Sequence, residues 1–402
     1  MTGQRKGSGS AGIASAIACV VAAVVLAVAP SAGAADPGKW LLTGASSVPN
    51  NYWQGLTSDP DQSRLFFVGV FEGLWRTTPE LHQTAGVSTE IPQSVTDSEG
   101  YNHIGDPTWN PGDGGRVILP MECYSPTMGN TCGHGAFGVA DPDTLEFRYY
   151  VNLDPAEIPK AMWAETSPDG KLIWTSSGND LLAYRSSDVI AANQGPSGPA
   201  IHSVRRLPNA VPPTGITGAV FGDQKLYLAG ESDGLYQVWN VNTVTGGRRL
   251  QLEMRICGES EGLDFIPTLG GSLHWLISPF DPGCQLTYGP TSALLHFIPR
   301  PANKVFTVQV TDTQVGTLPG MVRATVRARQ NGQPVRGARV NFAGGKALTN
   351  RNGVATVSKR LELPGRFRAV VRKGSDFGVS SLVPIGLDQA KRGAPAPPRG
   401  AR

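Results

Sequence analysis

Five stretches of the chain are written in one grammar, and that repetition constrains the fold more than any other feature. They are WQGLTSDPDQSRLFF from Trp53, HIGDPTWNPGDGGRVIL from His103, MWAETSPDGKLIW from Met162, GITGAVFGDQKLYL from Gly215 and SEGLDFIPTLGGSLHWL from Ser260. Each is a short apolar run, a turn centred on Pro or Gly, and a second apolar run. In four of them the second run opens with a cation, Arg64, Arg116, Lys171 or Lys225. Pro60, Pro111 and Pro168 preset φ for a tight turn, and the neighbouring Gly, Asp and Asn tolerate its unusual angles. A third run follows each time (GLWRTT, GAFGVAD, DLLAYRS, GLYQVWNV, ALLHFIP), and a fourth in several (FRYYVNL, HSVRRL, RRLQLEMRI). Four short antiparallel strands per unit, recurring every 45 to 60 residues or so, are the signature of β-propeller blades. The fifth repeat has three strands before Pro299-Arg300-Pro301, and KWLLTG at Lys39–Gly44 can supply the fourth and close the ring. The expected fold is therefore all-β, with five blades, or six if the stretch from Ser88 to Tyr101 holds further strands.

The two ends of the chain set the compartment. Arg5 and Lys6 precede the small and apolar run from Ala11 to Pro30, and Ala32-Gly33-Ala34 has the pattern that signal peptidase cuts. Residues 1–34 are thus expected to be a secretory signal, and the mature chain to be extracellular. Four cysteines then remain, and an even number in an exported chain reads as disulfides. Proximity pairs Cys123 with Cys132 and Cys257 with Cys284. Neither pair has the C-x-x-C spacing of a structural zinc site.

The net charge of +3 conceals a division. Residues 35–300 carry 15 Lys/Arg against 28 Asp/Glu, a net of −13, whereas residues 301–402 carry 18 against 4, a net of +14. So sharp a change marks a domain boundary at the Pro-Arg-Pro hinge. Residues 301–387 contain alternating strands such as MVRATVRARQ and GVATVSKRL, joined by NGQ, TNRNG and LPG turns. The run NGQPVRGARVNFAGGKALTNRNGVATVSKRLELPGRFRAVV resembles a bacterial Ig-like, or carboxypeptidase-regulatory-like, β-sandwich. Arg323, Arg327 and Arg329 alternate with apolar residues, which predicts a basic stripe on one sheet face. Such a stripe would attract an anionic cell-wall polymer, or else the module docks on the acidic propeller. No feature points to specific nucleic-acid recognition. Residues 388–402 are Pro- and Ala-rich and read as a disordered basic tail.

Blade topology points to one face as the working face. Links between blades, and between second and third strands, collect at the end where each inner strand begins, the top. The long loops ECYSPTMGNTCGHG and SPFDPGCQLTYGPTS both fall there, with all four cysteines at or near them. Loops braced on a rigid scaffold are the usual seat of binding, so His103, Glu122, His134 and Glu259 are the candidate top-face binding residues. Aligning the inner strands on their turns places Gln54, Gly105, Met162, Ile216 and Glu261 in one column. Gly55, Asp106, Trp163, Thr217 and Gly262 form the next, and Thr57, Thr108, Glu165, Ala219 and Asp264 lie two further on. Glu261, Asp106 and Glu165 are then a candidate axial metal set with oxygen ligands suited to Ca²⁺ or Mg²⁺. Strand alternation sends Asp264 away from Glu261, and the trio itself requires a bulge or a one-residue shift of the strand alignment.

Other chemistry is poorly represented. G-E-S-E-G from Gly258 to Gly262 matches a serine-hydrolase pattern by letters, but strands flank it on both sides where a nucleophile elbow needs a helix. No P-loop, dinucleotide fingerprint or H-E-x-x-H occurs. His274 and His296, among apolar neighbours, read as satisfied strand residues.

SPDGKLIWTSSGNDLLAY and DPDTLEFRYYVNL resemble blades of secreted YVTN/NHL-type propellers, and EGLDF is similar to the gluconolactonase–regucalcin group. The latter likeness implies a divalent cation held by a Glu, matched here by Glu261, and polar residues of inner strands. Two functions follow as expectations. One is a secreted, non-catalytic propeller that binds a ligand or partner on its disulfide-braced top face and is held at the cell surface by the basic module. The alternative is a divalent-metal-dependent hydrolase or lactonase built on the axial carboxylates.

Overall fold

Strand pairing follows the repeat grammar almost run for run. The computed structural model describes residues 39–69, 73–190, 198–256, 258–278 and 291–387. The first repeat forms an antiparallel sheet of Gly55–Ser58, Leu65–Val68, Leu74–Thr77 and Gln83–Val87. In the second, His103–Ile104 and Thr108–Asn110 both pair with Arg116–Glu122, followed by Ala136–Ala140 and Phe147–Asn152. The third consists of Glu165–Thr166, Leu172–Ser177, Asp180–Arg185 and Arg205–Leu207. The fourth is Gly215–Gly222, Lys225–Ser232, Leu235–Val241 and Arg248–Met254. Glu259–Phe265, Leu273–Ser278 and Ser292–Pro299 make the fifth, and Trp40–Val48 pairs with the last of them, Leu41 opposite Ile298 and Val48 opposite Ser292. Strands from the two ends of the repeat region thus share a sheet, as the missing fourth strand required. The stretch from Ser88 to Tyr101 holds a helix, Gln93–Glu99, rather than further strands.

Apolar packing is organised by neighbouring sheets. Phe66, Val68 and Leu74 of the first sheet meet Ile104, Val117 and Leu119 of the second. Ile118 and Phe137 meet Ile173 and Tyr184 across the next seam, and Trp163 and Trp174 meet Ile216 and Leu228 across the one after. Val220 and Tyr227 pack on Trp275 and Phe297 between the fourth and fifth sheets. Burying such side chains stabilises by about 1.5–3 kcal/mol each. Sheets stacked in chain order by their faces, with the last closed by the first strand, form a β-propeller.

Past residue 301 the chain makes two further sheets. One contains Asn303–Lys304, Asp376–Val379, Ala369–Lys373, Arg339–Phe342 and Gly345–Leu348, and the other is built on Thr307–Val315, Gly320–Gln330 and Val354–Leu361. Val322, Ala324, Val326 and Ala328 are buried while Arg323, Arg327 and Arg329 between them are exposed, the alternation read from the sequence.

This second part is not a separate bead. Both parts lie in one compact unit beginning at Pro37. Gly365–Phe367 adds to the free edge of Trp40–Val48, with Gly44 opposite Phe367, and Val383–Ile385 adds outside it. Ser47 N–H donates to Pro364 O at 2.8 Å and Arg368 N–H to Thr43 O at 2.7 Å. A Cβ at Gly44 would stand 2.7 Å from the Phe367 ring, so the close approach depends on glycine there. One apolar cluster runs from Leu65, Phe67 and Trp75 through Leu276 and Leu294 into Val326, Val340 and Phe342. The module therefore packs into the seam where the ring closes. Charge contributes little to that joint. Among the described residues the charged contacts across it are Lys359–Glu80 at 3.5 Å and His82–Glu362 at 3.4 Å, the latter an ion pair only when His82 is protonated, both at partly exposed positions where such pairs contribute at most about 1 kcal/mol.

Candidate functional site

The inner strands meet around a buried carboxylate. Asp106 is fully buried, between the two short inner strands of the second sheet. Its backbone bonds to the third sheet, N–H to Met162 O at 3.0 Å and O from Ala164 N–H at 3.0 Å. Oδ1 accepts the Leu56 N–H of the first sheet at 2.9 Å, and Oδ2 accepts the Ala219 N–H of the fourth at 2.9 Å. The fifth sheet contributes Gly262, where a Cβ would lie 2.5 Å from Oδ1. Through its carboxylate and its backbone this one residue thus bonds to the first, third and fourth repeats and lies against the fifth. Burial pushes its carboxyl well above the usual range, while the two amide donors pull the other way.

Glu165 does similar work towards the lower end, where the turns after the inner strands gather. Its Oε1 accepts the Phe221 N–H at 2.7 Å and its Oε2 the Thr108 hydroxyl at 2.9 Å, and Thr108 Oγ1 in turn accepts the Thr166 N–H at 2.9 Å. Burial raises the Glu165 carboxyl to about 8 and that of Asp264 to about 6. Both line a cavity of about 390 Å³ at that end, together with Asp59, Trp109 and Phe221.

At the upper end Glu261 is buried and its Oε2 accepts the Gln54 side-chain amide at 3.0 Å. Burial, then the charges of Glu259, Glu231 and Asp106, hold it well above the carboxylate range. Glu259 is half-buried and is raised by burial and by Glu231. Glu231 Oε2 accepts the Ser260 N–H at 2.9 Å. Three carboxylates therefore crowd the upper rim.

The predicted metal set does not close into one cage. Among the described residues, the groups whose ligand atoms all lie within 4.8 Å of one another are Cys123/Cys132/His134 and Asp154/Glu157/His202. A cation at Asp106 or Glu165 would compete with the amide and hydroxyl donors that already hold them. Bulges interrupt the fourth inner strand between Ile216 and Gly218 and the fifth between Ser260 and Leu263. They leave Ser260, Glu261 and Asp264 all buried, so simple alternation does not describe that strand.

Of the predicted top-face residues, His103 and Glu122 are buried as a pair, with Nδ1 3.0 Å from Oε1. Burial pushes Glu122 up, but the bond and charge from His103, with the charge of Lys160 and the Asn130 amide, together outweigh it and the carboxyl ends below its usual value. His134 is half-buried, its Nδ1 2.7 Å from the Tyr101 hydroxyl. The Cys123–Cys132 disulfide closes the loop beside them. Loop-closure entropy makes such a bridge worth about 2.5–3 kcal/mol. It also takes both sulfurs out of any metal site with His134. Cys257 and Cys284 lie outside the described residues.

Sequence reasoning missed Glu231 and the Asp154/Glu157/His202 knot. Glu231 stands next to last in the second strand of its sheet, near the end that Glu122 closes in its own, and that similar position is a usable signal. Glu157 accepts from the Tyr184 hydroxyl and from Ser203 N–H and Oγ–H, and Asp154 accepts the Ala156 N–H, so both tie loops together. Ser260 is a buried strand residue whose Oγ accepts from Trp275 Nε1 at 3.1 Å and Thr217 Oγ1 at 3.0 Å, an arrangement far from a nucleophile elbow.

No family model matches the chain, and no curated protein matches it. Among solved structures it is similar to the β-propeller domain of Cps50 (Swd1) from Myceliophteria thermophila, at 11% identity over 84% of this chain and 100% of that one, with a TM-score of 0.31. The strand order and the ring of contacts at Asp106, not this likeness, carry the propeller fold.

Proposed function

We propose that the chain is an exported, non-catalytic binding protein. In this reading the five sheets are five blades and residues 301–387 are an Ig-like module. The top face, braced by Cys123–Cys132 and edged by His134 and Glu259, receives a ligand or protein partner. The exposed Arg323, Arg327 and Arg329 stripe holds the protein to an anionic cell-wall polymer. The observation that carries the non-catalytic reading is at the axis. Asp106 and Glu165 have their oxygens bonded to N–H and O–H donors of other blades, so they serve as structural acceptors rather than as open ligands or bases.

Retention is tested by binding the full chain to purified cell walls at low and high salt, beside an Arg323→Gln/Arg327→Gln/Arg329→Gln variant. Binding that weakens steeply with salt and is lost in the variant supports the reading, because exposed charges are screened over roughly 8 Å at physiological ionic strength. Salt-insensitive binding, or none, defeats it.

The crowding of Glu231, Glu259 and Glu261 at the upper rim favours a second reading, a Ca²⁺- or Mg²⁺-dependent hydrolase or lactonase with Glu261 as a ligand. Metal analysis of the purified protein, with melting in calcium and in chelator, separates the two. A stoichiometric divalent ion and a chelator-sensitive Tm would replace the first reading with the second.

A further inference from the structure

A cavity of about 610 Å³ lies where the module meets the propeller, within the ~300–1,000 Å³ typical of small-ligand sites. From the propeller it takes Gly270, Ile298 and Pro299, and from the module the outward face of Arg339–Phe342, Gly345–Leu348 and Ala369–Lys373. Residues directly opposite on antiparallel strands share a face. Arg339 is opposite both Leu348 and Arg372, and Asn341 is opposite both Lys346 and Val370. Arg339, Lys346 and Arg372 therefore project from one face beside Leu348 and Val370.

Two features make this more than a basic surface. First, Arg339 and Arg372 are direct cross-strand neighbours, and like charges so placed destabilise a sheet unless an anion lies between them. Arg372 donates to Pro299 O at 3.3 Å, which orients it along the cavity wall. Arg339 and Lys346 make no ion pair or side-chain hydrogen bond among the described residues. Second, the described lining contains no carboxylate, and Leu348 is 63% exposed beside the cations, next to Ile298 and Ala347. Exposed cations side by side with apolar Leu348 and Val370 match a ligand with one charged end and one greasy end.

We infer that this interdomain cavity binds a small amphipathic anion, a phosphate, sulfate or carboxylate headgroup on a short apolar chain, with Arg339, Lys346 and Arg372 receiving the headgroup. Guanidinium groups suit such oxyanions because they donate in a planar fork. The site is independent of the top face and of the Arg323–Arg329 stripe, which belongs to the other sheet of the module.

The test is calorimetric titration of the full chain with octyl phosphate below its micellar concentration, beside inorganic phosphate, octyltrimethylammonium and anionic lipid vesicles. The expected result is one octyl phosphate per chain, bound at least tenfold more tightly than inorganic phosphate, with no binding of the ammonium compound. Arg339→Gln/Lys346→Gln should weaken octyl phosphate at least tenfold while the ligand-free Tm stays level or rises, since a like-charge pair has been relieved. The Arg323/Arg327/Arg329 variant should bind it normally. Four results would overturn the proposal: no octyl phosphate binding, equal affinity for inorganic phosphate, binding unchanged in the double variant, or a lowered ligand-free Tm in that variant. Attachment to vesicles without binding of the free compound would also overturn it, because a flat electrostatic surface would then suffice.

Discussion

Asp106 Oδ2 accepts the N–H of Ala219 at 2.9 Å, joining inner strands 113 residues apart in the chain. With Leu56 N–H on Oδ1, one carboxylate takes two buried amides. Asp106→Ala should leave both unsatisfied. The expected loss is about 2–5 kcal/mol, measured as a shift of the urea midpoint with an unchanged m-value. A loss below about 1 kcal/mol would show that Asp106 does not hold the ring.

Glu165 makes a pH prediction. Its folded-state carboxyl is raised to about 8 from an ordinary 4.5, so the native state keeps a proton that the unfolded chain releases. Stability attributable to this group is therefore full below about pH 4.5 and declines as pH rises towards 8. Glu165→Gln mimics the protonated acid. Its stability relative to the natural chain should grow across that interval, by a few kcal/mol at most, in denaturant titrations at successive pH values. A constant difference from pH 5 to 8 would count against the raised value.

The histidine pair runs in the opposite direction. His274 Nε2 lies 2.8 Å from Ile266 O, His274 Nδ1 lies 2.8 Å from His296 Nδ1, and His296 Nε2 lies 2.8 Å from Ser46 Oγ. The carbonyl requires a proton on His274 Nε2, so His274 Nδ1 accepts, His296 Nδ1 donates, and His296 Nε2 accepts from Ser46. These donor directions are the ones that two neutral rings make. Burial lowers His274 to about 4 and holds His296 well below its usual value, the latter also by the charge of His274. The pair thus supports the fold above the unfolded value near 6.5 and loses that support as pH falls towards 4. Imidazole nitrogen NMR at pH 5.5 should show both rings neutral, with the assigned tautomers. A protonated ring at that pH would refute the assignment.

The joint between propeller and module rests on a residue without a side chain. Gly44→Leu would drive a side chain into Phe367 and Arg366 O. The expected outcome is loss of the Gly365–Phe367 pairing and of several kcal/mol of packing, read as a biphasic melt and as rapid amide exchange at Ser47 and Arg368. A single unshifted transition would mean the seam tolerates the insertion.

Much of this architecture was legible because it is local. Pro60, Pro111 and Pro168 mark turns through their own φ, and alternation in MVRATVRARQ assigns Arg323 and Val326 to opposite faces through strand geometry alone. The missing fourth strand of the last repeat likewise pointed to Trp40–Val48, since an unpaired edge demands a partner. The site was less legible. Asp106 was recognised as axial, yet its role depends on amides 50 and 113 residues away, and a carboxylate in a strand looks the same whether it holds an ion or two N–H groups. Glu261 and Asp264 were separated by alternation, but a bulge leaves both of them buried. Bulges depend on the partner strand and leave little trace in composition.

The amino-acid sequence by itself determined strand content, the repeat, the expected closure and the division of charge, because periodicity, turn angles and unpaired edges are properties of neighbouring residues. Only the tertiary structure decided that the basic module joins the propeller by strand addition at Gly44 and apolar packing at the closing seam rather than by opposite charge. The same holds for Asp106, whose carboxylate accepts one backbone amide from each of two other sheets. Both outcomes depend on which distant groups compete for one buried donor, acceptor or edge, and that competition is settled only when the chain has closed on itself.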